Sequence, residues 1–134
     1  MKKTWIEKFH VSKEPTVKRL EKAFADMPEQ SLMLIATPSL IADYLRQVPI
    51  GKAVDIKTLR KDLALEYGAD HTCPVTTGIF LRIVAEAANE ALQAGGTVES
   101  ITPFWRAIVP DSPAAKKLSF GQEFLLQMRQ KEEI

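Results

Sequence analysis

Phe104-Trp105-Arg106, set between Pro103 and the apolar run Ala107-Ile108-Val109, joins residue types that can recognise an anion or a base. A guanidinium beside aromatic rings can stack on a base, or hold a carboxylate or phosphate in its fixed fork of donors. If the run is extended, its two-residue period sends Phe104 and Arg106 to one face and Trp105 to the other. One aromatic is then expected in the core and the other at a cleft. The alternative for Arg106 is an internal pair with a carboxylate such as Asp111. Cys73, beside His71 and before a helix start, has the setting of a reactive or redox-sensing thiol. A lone cysteine is more often a small buried residue, and that reading is preferred, with His71 as a polar turn residue. Asp55, Asp62 and Glu66 lie at helical spacing with Arg60 and Lys61 between them, which describes a solvated face and not a catalytic carboxylate pair. Lys52, Lys57, Arg60 and Lys61 offer either phosphate contacts or the same solvated surface.

These residues need elements to position them. Val17, Leu20, Phe24 and Met27 recur at helical spacing, so an amphipathic helix is expected over residues 16–26, with Pro15 in its first turn. Residues 32–35 are a short apolar run, a strand or a buried approach to the next helix, which Pro38 opens over 39–47. Asp55 caps a helix over 56–67 with the stripe Ile56, Leu59, Leu63 and Tyr67, and Gly68 ends it. Thr76 or Thr77 is expected to cap a longer helix over 78–93 that buries Ile79, Ile83, Ala87 and Ala91. The two helices make a helix-turn-helix candidate. Beyond Gly95-Gly96, residues 98–109 are expected to form two short strands, a wing. Asp111 and its flanking prolines dictate a loop, and a last helix over 122–131 turns Phe124, Leu125 and Met128 inward. The basic arm carrying Trp5, Ile6 and Phe9 is expected to pack on the domain, the alternative being a partner contact.

Four pieces of the chain, in order and at compatible spacing, resemble the alkylguanine DNA alkyltransferase superfamily over roughly residues 37–133. They are Thr37-Pro38, Val48-Pro49-Ile50-Gly51 with Leu59, the run from Thr102 to Val109, and Leu118-Ser119-Phe120-Gly121-Gln122-Glu123 with Phe124-Leu125-Leu126. The resemblance implies a winged-helix DNA-binding fold and a nucleotide pocket. Phe104 stands where the family has its alkyl-accepting cysteine and Trp105 where it has the histidine partner, so thiolate transfer cannot occur there. The chain therefore looks most like the non-catalytic, alkyltransferase-like members. Ile56 replaces the family's phosphate-pushing tyrosine, Thr76 or Thr77 its gap-filling arginine, and Phe80 the small residue of its recognition helix. Carried over by the resemblance, Lys57, Thr76, Thr77, Arg82 and Arg106 are expected to contact nucleic acid. Ile56, Pro103, Phe104, Trp105 and Ser119 are expected to line the pocket.

Length and charge bound these readings. At 134 residues the chain builds one core, divided here into a packed N-terminal region, 1–36, and the alkyltransferase-like region, 37–134. The fold class expected is mainly α with a small β wing, winged-helix-like and containing a helix-turn-helix. No apolar run reaches the roughly 18 residues of a membrane span, and the start lacks the apolar segment of a secretory signal, so a cytoplasmic location is expected. One Cys and two His cannot assemble a four-ligand structural zinc site, and neither metal nor cofactor is expected. Residues 1–24 carry seven Lys and Arg against three Glu, a net +4, while residues 25–134 carry eleven against fourteen acids, a net −3. The functional expectation is a non-enzymatic protein that binds duplex DNA, at modified or distorted bases, without alkyl transfer. The alternative is a scaffold repurposed to bind a protein partner or a small ligand.

Overall fold

Residue 20 and residue 31 hold hands across a turn instead of sitting on a helix: Leu20 N–H donates to Ser31 O at 2.9 Å. The computed structural model of the protein describes residues 3–11 and 13–134. Met1, Lys2 and Ser12, part of the basic arm read from the sequence, lie outside the described residues. The helix expected over residues 16–26 is not formed. Its first part is a strand, β1 (Thr16–Arg19), antiparallel to β2 (Leu32–Ile35) with Thr16 opposite Ile35 and Arg19 opposite Leu32. The spacing of Val17, Leu20, Phe24 and Met27 fits a helix, but pairing with the apolar run 32–35 outweighs that weak local preference. Leu20 and Met27 pack with Met33 and Cys73 in a small core of their own, while Val17 and Phe24 stay exposed. The charged Lys18 and Arg19 sit on the outer strand, where they discourage pairing with another chain.

β2 is central. It also pairs in parallel with β3 (His71–Thr72), Met33 opposite His71 and Leu34 opposite Thr72. A parallel neighbour needs a long crossover, supplied by two helices. In α2 (Pro38–Arg46) Thr37 caps the start by accepting from Leu40 N–H, and in α3 (Ile56–Glu66) Asp55 does the same for Thr58 N–H at 2.7 Å. Both helices and the Asp55 cap match the expectation; the Thr37 cap was not part of it. Gly68, with φ 66°, turns the chain out of α3 in a left-handed conformation that favours glycine. Leu59 and Leu63 are buried as expected, but Tyr67 is exposed.

α4 (Pro74–Gln93) begins four residues before the expected start, with Cys73 at its N-cap and Pro74 at its first position. Proline has no N–H to waste there. Thr76 and Thr77 therefore lie inside the first turn and do not cap it. The buried face is partly rotated: Thr77, Leu81, Val84, Ala85 and Ala88 face the core, Ala87 is buried and Ala91 packs against the core as expected, while Ile79 is 53% exposed and Ile83 is only half-buried. Both stripes have helical spacing, so periodicity could not choose between them. α1 (Trp5–Phe9) packs on α4, and Glu90 of α4 accepts the backbone N–H groups of Trp5 and Ile6 at 3.1 and 3.0 Å. The arm's aromatics thus pack on the domain.

The wing expected at 98–109 is absent: the segment holds two single-turn 3₁₀ helices, Val98–Ser100 and Phe104–Arg106, and no strand. Thr97 and Ser100 close the first turn by a reciprocal capping box. Pro103 lacks a ladder donor, and residues 101–108 are all buried, so the segment threads the core and does not lie beside a partner strand. The alternation that put Phe104 and Trp105 on opposite faces falls with the strand, and both are buried. After α5 (Pro113–Lys116), α6 (Glu123–Glu132) buries Leu125 and Met128 as expected. The molecule is mainly helical with a small three-stranded sheet near its N-terminal end.

Candidate nucleic-acid interface

The Phe104-Trp105-Arg106 turn is sealed. Phe104 is fully buried, its ring centroid 5.5 Å from Trp105, 5.8 Å from Phe120 and 6.0 Å from Phe124. The first two pairs are edge-on, an arrangement that favours burial beyond its area. Arg106 donates from Nε and Nη2 to the two oxygens of Glu132 at 2.8 and 2.9 Å, and from Nη1 to Val48 O at 2.8 Å. Its partner is Glu132 in the last turn of α6, and not Asp111. Glu132 also accepts from Trp105 Nε1 at 2.7 Å and Gly51 N–H at 3.2 Å. The Arg106 guanidinium, outweighing desolvation, and the indole N–H beside it hold the Glu132 carboxyl down at about 2. Behind them Arg129 donates to the carbonyls of Trp105 and Ile108.

Of the expected pocket residues, Pro103 and Trp105 border a cleft, while Phe104, Ile56 and Ser119 do not. Phe104 is fully buried and Ile56 packs against the core. Ser119 is exposed, but its N–H donates to Glu86 at 2.8 Å and its hydroxyl donates to the same carboxylate. Glu86, 1% exposed in the middle of α4, ties that helix to the loop before α6. Of the residues expected at nucleic acid, Thr77 is buried with its hydroxyl donating to Cys73 O at 2.6 Å. Thr76 is half-buried and its Oγ1 has no hydrogen-bond partner. Lys57 is exposed, and Arg82 is partly exposed. Cys73 is buried in the small core, as the blander reading had it. Asp55 serves as a cap and Asp62 accepts from the Tyr44 hydroxyl.

What the fold brings together instead lies at the start of α4. A groove lined by Pro74, Val75, Ile79, Trp5, Lys8, Arg82 and Lys117 has three cations and no carboxylate on its walls. Val75 and Ile79 are 52% and 53% exposed along its floor. Lys8 Nζ lies 4.2 Å and Arg82 Cζ 5.0 Å from the Trp5 ring centroid, two cation–π contacts along the rim. A second groove, lined by Thr72, Lys57, Lys61 and His71, adjoins the same helix start. Its two acids are engaged: Asp26 pairs with Arg60 through two bonds of 2.9 Å, and Asp70 accepts from Leu32 N–H. Arg60 also donates to Thr72 O, so the groove's unpaired charges are Lys57, Lys61 and the Asp70 carboxylate, a net +1. Lys8 and Lys117 were invisible from sequence because only α1 docking and the α5 turn bring them to α4. Glu132 did carry a signal, since 125, 128 and 132 share one helical face. Comparison with protein-family models, with curated proteins and with solved structures finds no match.

Proposed function

We propose that this chain is a non-enzymatic binding protein that holds duplex DNA across the start of α4 and extrudes no base. The observation that carries the reading is the gathering of Lys8, Lys57, Lys61 and Lys117 near one helix start in a chain of net charge +1, with Arg82 beside them paired to Glu86 at 3.4 Å. Phosphate neutralisation supplies most non-specific affinity for DNA, and an even spread of these cations would supply little. Helix N–H groups add to the attraction. The alkyltransferase-like resemblance supports the same face. A flipped base, however, needs a vacant pocket with stacking partners, and Phe104, Phe120 and Phe124 fill that space. The reading is thus DNA binding without lesion preference, and without alkyl transfer. Anisotropy of a labelled duplex, with and without an O6-methylguanine, tests it at two salt concentrations. The expected Kd is roughly 0.1 mM for both duplexes, weakening with salt. Absence of salt-sensitive binding to either overturns the proposal.

A second reading, a protein segment docked on the same groove, is favoured by the exposed Val75 and Ile79. Phosphate does not need apolar contact, whereas an amphipathic segment does. Val75→Ser with Ile79→Ser should leave the salt slope of DNA binding unchanged under the first reading, and should abolish partner binding under the second.

A further inference from the structure

A separate cleft, sharing no lining residue with the α4 grooves, opens over the sealed turn. It encloses about 410 Å³ and is walled by Trp105, Ile101, Pro103, Met128, Val98 and Ile50. That volume falls within the range of small-molecule sites, which are mostly apolar with a few convergent polar groups. Ile50 is 78% exposed, the most exposed large apolar side chain among the described residues, and it forms the lip of this cleft. An isoleucine held in water at such a mouth gains by being covered.

The polar groups at the cleft differ in availability. Arg106 and Glu132 satisfy each other in the floor, and the Trp105 N–H is already spent on Glu132. That leaves Arg46, in the last turn of α2, and Lys131, in the last turn of α6, opposed by the single carboxylate Glu99. Neither cation is in an ion pair among the described residues, and both are exposed. Two exposed, unpaired cations beside apolar walls match a molecule with an apolar body and one anionic end.

We propose that this cleft binds a small amphipathic organic carboxylate, its hydrocarbon part against Trp105, Ile101 and Met128 and its carboxylate between Arg46 and Lys131. The floor is rigid because Arg129 and Arg106 tie the turn to α6 and to Val48, so binding needs little rearrangement, which favours affinity. The cleft shares no residue with the α4 grooves, so the inference does not rest on the DNA reading.

Isothermal titration of the full chain with decanoate, decanol and decylammonium, each below its micelle concentration, tests it. Decanoate is expected to saturate one site, decanol to bind about tenfold more weakly, and decylammonium not to bind; a charge-assisted contact is worth about that factor. Arg46→Gln with Lys131→Gln should weaken decanoate to the level of decanol, and Ile50→Asp should remove binding of both. Both variants alter exposed positions, and unchanged thermal unfolding confirms that each is folded. Lys52→Gln, outside the cleft, should change nothing. No saturable binding of decanoate, equal binding of decylammonium, or undiminished binding by the Arg46/Lys131 variant overturns the proposal.

Discussion

Arg106 shows how far a residue's role can shift between sequence and structure without its chemistry changing. The sequence marked it as an anion-holding side chain, and it does hold an anion, Glu132 of its own chain, with both groups nearly buried. The partner lies 26 residues away on another element, so no local pattern could select it over Asp111. Burying such a pair is costly, and breaking it strands the survivor. The sign of its pH dependence follows from a folded carboxyl held at about 2. An unfolded glutamate titrates near 4.3, so the stabilisation is fully present above about pH 4.3 and is lost as pH falls through about 2, amounting to about 3 kcal/mol. Glu132→Gln should therefore destabilise the protein at pH 7 by about that much, with the two proteins converging near pH 2. Urea midpoints between pH 2 and 7 measure it; a difference that stays constant across that range argues against the pair. Cys73, the one thiol, is 4% exposed. Incubation with a labelled methylated duplex should leave no label on the protein, and covalent label on Cys73 would contradict the reading.

The helices that the sequence announced are those with their own punctuation. Thr37 and Asp55 cap α2 and α3 through their side chains, Gly68 closes α3, and the inward face of α6 is unambiguous. Where two readings were locally equal, tertiary pairing decided. Residues 16–19 took the strand because 32–35 lay ready to pair, whereas residues 98–109 thread the core as two 3₁₀ turns with residues 101–108 all buried. α4 is the sharpest case, since its alanine-rich sequence supports more than one stripe. Leu81→Ala should cost about 2–5 kcal/mol, as for a fully buried position, whereas Ile79→Ala should stay within about 0.5 kcal/mol. Denaturant midpoints of the two variants decide which face is buried; equal losses would restore the face expected from sequence. Glu90 gives a local test of α1: Glu90→Ala removes the acceptor for Trp5 and Ile6 N–H, so amide exchange at these two residues should rise while that of Leu81 stays protected.

Across the whole molecule, net charge was a poor guide because it averages over faces. The −3 of residues 25–134 suggested a surface ill-suited to DNA, yet Glu86, Glu90 and Glu132 are consumed by internal hydrogen bonds, and Asp26 by an ion pair. Arg60, Arg82 and Arg106 are consumed with three of those acids, so what makes the α4 start basic is the placement of Lys8, Lys57, Lys61 and Lys117 and not a change in the total. Binding there should behave as counterion release, with each phosphate-contacting cation contributing about one unit to the slope of log K against log salt. Lys57→Ala and Lys117→Ala should each lower that slope by about one, on O6-methylguanine and unmodified duplexes alike. Arg46→Gln with Lys131→Gln removes the same charge as that pair of substitutions but from the other cleft, and should leave the slope unchanged. If all of these variants weaken DNA equally, the attraction belongs to net charge and not to a face, and the assignment of α4 as the binding element fails.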